Sequence, residues 1–249
     1  MSDAGAPRDR ELDVFDRSVD VGTALDALRD PAIAASSQRF FKSGPGEYGE
    51  GDRFLGIRVP VLRRLARMHR SLPLDQVVEH LRSVWHEERL LALLILVEQD
   101  RRGSAESRER IHSTYLGHTR FVNNWDLVDT SAEHLVGAHV GPDDLTLLER
   151  LAGSSSVWER RIAMLATFHW TKQGVSEPAL RIANLLLDDP HDLIHKAVGW
   201  MVREVGKRDP QRVEAFLAER YRRMPRTMLR YAVERLPEAR RQRYLRGEA

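Results

Sequence analysis

From about residue 21 onward, apolar side chains recur every three or four positions, the spacing that lines one face of an α-helix. Runs of this kind predict helices over 59–70, 74–84, 87–99, 107–116, 124–137, 144–152, 158–172, 178–187, 193–207, 212–222, 227–235 and 238–245, and 31–42 shares the period. Between them stand turn signals such as Gly117-His118, Gly141-Pro142-Asp143, Gly153-Ser154, Gly174, Asp188-Asp189-Pro190, Asp209-Pro210 and Met224-Pro225. No segment alternates apolar and polar residues over strand length, so the class is all-α. Residues 1–20 carry many charges and little apolar periodicity and read as a disordered tail, leaving 21–249 as one helical domain.

The helices also repeat. Glu87-Glu88-Arg89-Leu90-Leu91-Ala92, Glu159-Arg160-Arg161-Ile162-Ala163-Met164 and Ile194-His195-Lys196-Ala197-Val198-Gly199 resemble one another. Superposing them puts Arg89, Asp126, Arg161, Lys196 and Arg230 in one slot, at spacings of 37, 35, 35 and 34 residues. A period in the mid-thirties built of two helices indicates an α-solenoid, in which each pair buries its apolar stripe against the next. A repeated charged slot in a solenoid lines the inner wall. A ladder of mainly cations there predicts a curved stack whose concave face is basic and cradles a duplex.

Charge supports that picture only through its distribution. The net charge is +2, but residues 201–249 hold 14 Lys and Arg against 7 Asp and Glu. A basic end suits a phosphate backbone, although only four of the 39 basic residues are lysine, and an arginine-rich solvated surface reads the same way. The chain has no cysteine, which excludes disulfides, thiolate metal sites and cysteine nucleophiles. No apolar run approaches the roughly 20 residues of a membrane helix, and the polar N-terminus lacks the apolar core of a signal peptide. A cytoplasmic protein with no membrane partner is expected.

Most candidate chemistry is weak. The glycine-rich stretch 43–54 lacks a Gly-Lys-Ser/Thr and a preceding strand, so it reads as a packed loop between two helices rather than a phosphate cradle. His191 and His195 have zinc-ligand spacing but no third ligand follows, and His86-Glu87-Glu88-Arg89 breaks the His-Glu-x-x-His pattern. The strongest constellation is Asn123-Asn124-Trp125-Asp126-Leu127-Val128-Asp129. Trp125 and Asp129 are four apart and share a helix face, while Asp126 points elsewhere, placed to cap or neutralise a neighbour. A carboxylate beside an indole on a basic wall can stabilise positive charge developing on a sugar. Spacing alone favours the plainer alternative, a tryptophan at a repeat interface with a surface aspartate. Arg161 and Trp200 come from the next two repeats at a similar level. Arg161 is suited to a bidentate grip on phosphate or to pairing with Glu159 or Asp129. Trp200 fits the core as well as a site, with Gly199 beside it permitting close backbone approach.

These blocks are recognisable together. Asn124-Trp125-Asp126-Leu127-Val128-Asp129, Trp158-Glu159-Arg160-Arg161, the stretch 195–204, the loop 46–57 and the stretch 224–232 resemble, in order and spacing, the signature blocks of AlkD-like DNA alkylation-repair proteins. The resemblance covers residues 31 to about 245. It implies HEAT-like repeats wrapping duplex DNA and a monofunctional glycosylase acting on cationic N3- and N7-alkylpurines without turning the base into a pocket. It implies Asp129 as the catalytic carboxylate, Trp125 and Trp200 against the lesion-bearing backbone, Arg161 on a phosphate and Arg203 as a further contact. Asp129, Trp125 and Trp200 are then the expected catalytic set, and Arg161 and Arg203 with the ladder residues Lys196 and Arg230 the expected DNA-binding set. Neither metal nor organic cofactor is expected, and a wrapping solenoid is content as a monomer. The alternative is a non-catalytic binder of duplex or branched DNA on the same wall, and after it a protein-interaction solenoid.

Overall fold

The computed structural model describes residues 14–16 and 18–249. Among the described residues fifteen α-helices follow one another: α1 (Val21–Ala27), α2 (Pro31–Phe40), α3 (Val59–Met68), α4 (Leu74–Leu81), α5 (His86–Asp100), α6 (Ala105–Gly117), α7 (Trp125–Leu135), α8 (Thr146–Ala152), α9 (Val157–Ala166), α10 (Phe168–Lys172), α11 (Glu177–Leu185), α12 (Asp192–Gly206), α13 (Pro210–Arg220), α14 (Arg226–Ala232) and α15 (Glu238–Arg246). Among the described residues, strand-type pairing amounts to one isolated bridge between Arg53 and Trp85. No helix there is long and apolar enough to cross a membrane. Of the expected tail, residues 1–13 and 17 lie outside the described residues, while Val14, Phe15 and Val19 pack against the core.

Two layers arise from the amphipathic pattern. Helices α3, α5, α7, α9, α12 and α14 pack side by side in that order as a first row. Helices α4, α8, α11, α13 and α15 lean on its members from the second row, and α6 packs on α5 and α7. This is an all-helical solenoid. Helix α5 shows why the core sits between the layers: every residue from Leu90 to Val97 is buried, as expected for a helix apolar on all sides. Helix α3 is one-sided, burying Leu62, Leu65 and Ala66 and leaving Arg63, Arg64 and Arg67 outside. The repeat superposition holds at the level of the row: Arg89, Asp126, Arg161, Lys196 and Arg230 lie on α5, α7, α9, α12 and α14.

The predicted helix 158–172 is broken at Thr167 into α9 and α10. The Thr167 hydroxyl donates back to the Met164 carbonyl at 2.7 Å, a local bond that bends helices.

Rows approach closely where side chains vanish. A Cβ on Gly199 of α12 would lie 2.4 Å from the Met228 carbonyl oxygen and 2.5 Å from the Tyr231 Cβ on α14. The glycine predicted to permit close approach therefore serves helix packing. Gly199→Ala is expected to destabilise the fold by about 1–3 kcal/mol through overpacking, read as a fall in the urea midpoint at constant m-value. An unchanged midpoint would show that α14 moves aside freely.

Candidate functional site

Trp125 begins α7, and its position is fixed from both sides of the chain. Asn124 is fully buried, and its Oδ1 accepts from the Trp125 amide at 2.8 Å, capping the helix. The Asn124 amide nitrogen donates to Asp52 of the glycine-rich loop at 3.1 Å. Phe41 stacks on the Trp125 ring with centroids 5.5 Å apart, and Phe40 meets it edge-on at 5.9 Å. Four residues on, Asp129 lies on the same face, and both side chains line one cleft of about 360 Å³ with Arg63, Arg67, Glu98 and Arg101.

Arg161 of α9 occupies Asp129. Its Nε and Nη2 each donate to a carboxylate oxygen at 2.8 Å, and its Nη1 donates to the Leu193 carbonyl at 2.7 Å. Of the alternatives open in the sequence, Asp129 is therefore the partner and Glu159 is not; Glu159 accepts from Thr119 and Ser154. The Asp129 side chain keeps 18% of its surface exposed against 6% for Arg161, so the carboxylate reaches the cleft while its partner stays behind it. Burial pushes the Asp129 carboxyl above its ordinary value, against the pull of the Arg161 charge and hydrogen bonds.

A second cleft, of about 470 Å³, opens on the other side of Trp125. It brings together Arg161, Lys196, Trp200 and Arg203 with Phe40, Tyr48 and Tyr231. Trp200 is half-buried, and its indole N–H donates to Glu204 at 3.2 Å. Arg203 is paired with Glu234 and lies 3.8 Å from Glu204. Lys196 pairs with Asp192 at 2.7 Å, and that hydrogen bond raises its pKa. Arg230 is exposed. The expected ladder of cations is thus uneven. Arg89 is buried and bound to Asp52 and to the Ser83 carbonyl, and Asp126 is bound to His86.

That last contact belongs to a buried network which sequence reading missed. The His86 ring donates from Nδ1 to Asp52 at 3.0 Å and from Nε2 to Asp126 at 2.8 Å. Phe41 and Phe54 flank the ring, each with its centroid 4.8 Å away. Burial alone would lower the His86 pKa, but the hydrogen bonds and charges of Asp126 and Asp52 outweigh it and raise the value to about 9. Burial pushes Asp52 upward in turn, and His86, Arg89 and Asn124 together hold it below the ordinary carboxylate range. The same loop sends Tyr48 into the second cleft, where burial raises its pKa while a hydrogen bond from Trp125 pulls the other way.

The glycine-rich loop is fixed to α5 by Glu87. Its carboxylate accepts from the amides of Leu55, Gly56 and Ile57 at 2.8, 2.8 and 3.3 Å. Gly56 sits at φ +86° with its α-carbon against the Asp30 carbonyl, a place no side chain fits. The histidine pair 191 and 195 has local duties: His191 Nδ1 accepts from the Leu193 amide, and His195 Nε2 meets the Asp189 carbonyl. The available signal for the network was Asp52 beside the apolar run Phe54-Leu55, an acid placed where burial demands a cation.

Comparison with known proteins adds the following. Residues 21–236 match the model of a family described as DNA alkylation repair enzyme. A solved structure described as a predicted DNA alkylation repair enzyme from Enterococcus faecalis superposes with a TM-score of 0.63 at 20% sequence identity, covering 84% of this chain and 97% of that one. At that identity the likeness speaks for the fold alone. No curated protein matches the sequence significantly.

Proposed function

The chain belongs to the DNA alkylation repair enzyme family, and from that premise we propose that it is a monofunctional glycosylase for cationic N3- and N7-alkylpurines, such as 3-methyladenine and 7-methylguanine, in duplex DNA. The observation that carries the reading is Asp129: a desolvated carboxylate, gripped by Arg161 from behind, facing a cleft beside the Trp125 indole.

Alkylation at N3 or N7 places a positive charge on the purine. When the N-glycosidic bond breaks, its electron pair neutralises that charge, so the base departs without a general acid. The sugar is left as an oxocarbenium-like cation, which a fixed carboxylate stabilises. A water then bonds to C1′ and yields its proton to Asp129 or solvent. The step uses only the carboxylate and water. Its selectivity comes from the leaving ability of the cation, so the base stays in the stack and no pocket around it is required.

Arg161 has further N–H groups beyond the three engaged with Asp129 and Leu193, and these serve a phosphate. The Trp125 and Trp200 rings take the lesion-bearing backbone between them, with Lys196 and Arg230 on flanking phosphates. Arg203 joins them by exchanging Glu234 for phosphate oxygen. In this reading the helix pairs are HEAT-like and the first row presents the basic wall.

The test is base release from methylated duplex, resolved by chromatography. 7-Methylguanine and 3-methyladenine are expected in the soluble fraction, with neutral O6-methylguanine retained. Equal release of the neutral base would remove the leaving-group argument. A second reading has one observation behind it: both Asp129 oxygens already accept from Arg161. Duplex binding with no release of any base would establish that non-catalytic binder.

A further inference from the structure

We propose that Arg63 and Arg67 of α3, together with Arg101 at the end of α5, form a phosphate-binding site that grips the duplex on the α3 side of Trp125. The proposal rests on the reading of duplex DNA as substrate and adds a second place where the backbone is held.

The charge balance of the Asp129 cleft points there. Its carboxylates are all matched: Asp129 by Arg161, Asp126 by His86, and Glu98 by Arg101 and Arg102 at 3.9 and 3.5 Å. Burial lowers the pKa of His134, the histidine in the lining, so it adds no charge at neutral pH. Arg63 and Arg67 are exposed, and among the described residues neither side chain has a hydrogen bond or ion pair. They are four apart and so share a helix face. The stretch 58–70 holds Arg58, Arg63, Arg64, Arg67 and Arg70 and no carboxylate. A surplus of unpaired guanidinium groups in a cleft attracts polyanions, and phosphate is the acceptor that guanidinium meets in bidentate fashion.

The basic C-terminal end that the sequence suggested is a weaker candidate. Arg203, Arg212, Arg223, Arg240 and Arg241 are held by Glu234, Glu177, Asp188, Glu214 and Glu238. Binding a phosphate at any of these five requires breaking an ion pair first. On α3 it does not.

Position along the row agrees. Helix α3 lies two members before α7 and α12 two members after it. With neighbouring axes about 9 Å apart, the axes of α3 and α12 run about 18 Å to either side of α7, and their side chains reach inward to the two clefts that share Trp125. That separation lets one backbone run across Trp125 and be held at both ends.

The experiment is a salt titration of binding to an unmodified duplex oligonucleotide, which reads affinity independently of excision. Arg63→Ala/Arg67→Ala is expected to reduce the slope of log K against log salt by about 1.8, at about 0.9 per phosphate lost. Affinity at low salt should fall by roughly tenfold or more. Arg63→Lys/Arg67→Lys should restore most of the slope, which separates lost charge from lost structure. Arg223→Ala/Arg240→Ala should leave it unchanged. An unaltered slope in the double alanine variant overturns the proposal, and does so alone if the wild type still releases alkylpurines. Absence of salt-sensitive binding by the wild type itself would overturn the duplex reading and this site with it.

Discussion

Asp129→Asn is expected to lower alkylpurine release by about 10²–10³-fold, the effect of removing one preorganised charge from a transition state, while affinity for unmodified duplex is unchanged. Asparagine keeps the shape and one acceptor for Arg161 but removes the charge that faces the sugar cation. The substitution also leaves Arg161 buried beside a neutral amide, and stripping one partner from a buried ion pair is destabilising by a few kcal/mol. Melting curves taken alongside, with activity measured well below the transition, keep loss of fold apart from loss of chemistry. The pH profile gives a second readout. The ionised carboxylate is the working form, and burial raises its pKa. Activity therefore declines on acidification with a midpoint above 3.8, the ordinary value for an aspartate. Undiminished release by the Asn variant would take Asp129 out of the mechanism.

The second large effect lies behind the site. His86→Leu removes the cation shared by Asp52 and Asp126 and should destabilise the fold by about 3–5 kcal/mol, the usual penalty for an uncompensated buried charge. Its dependence on pH identifies the cause. The folded-state pKa of His86 is raised from 6.5 to about 9, so the wild-type stabilisation is complete below 6.5 and is lost as pH rises through 9. The shift corresponds to stability on the order of 3 kcal/mol. Urea denaturation from mildly acid to alkaline pH should show the gap between wild type and variant closing toward the alkaline end. Parallel curves would mean that the loss is packing against Phe41 and Phe54 and that the imidazole is neutral.

Much of the architecture was legible because each first-row helix carries its own apolar surface, one-sided on α3 and all round on α5, so local sequence and burial coincide. The shared face of Trp125 and Asp129 followed from helical geometry, and their common cleft agrees with it. Helix α1 stood out less, having only Val21, Ala24 and Leu25 to bury. The ion pairs were a different matter. Asp129–Arg161 spans 32 residues, His86–Asp52 34 and His86–Asp126 40. Periodicity fixes which way a residue faces along its own helix but not which side chain meets it across the next. For the same reason charge counted along the chain pointed to residues 201–249, where many arginines find carboxylates only after folding. Arg63 and Arg67 of α3 find none.

Because each member of the first row packs mainly on its immediate neighbours, the molecule behaves as a short linear lattice whose cohesion is the sum of adjacent interfaces. Opening then starts at the ends, where a helix has one neighbour to lose instead of two. Helices α7 and α9, which carry the Asp129–Arg161 pair, occupy the middle of the lattice. Partial unfolding would strip away the α3 and α14 margins, and with them the grip on a long ligand, before it reached the carboxylate.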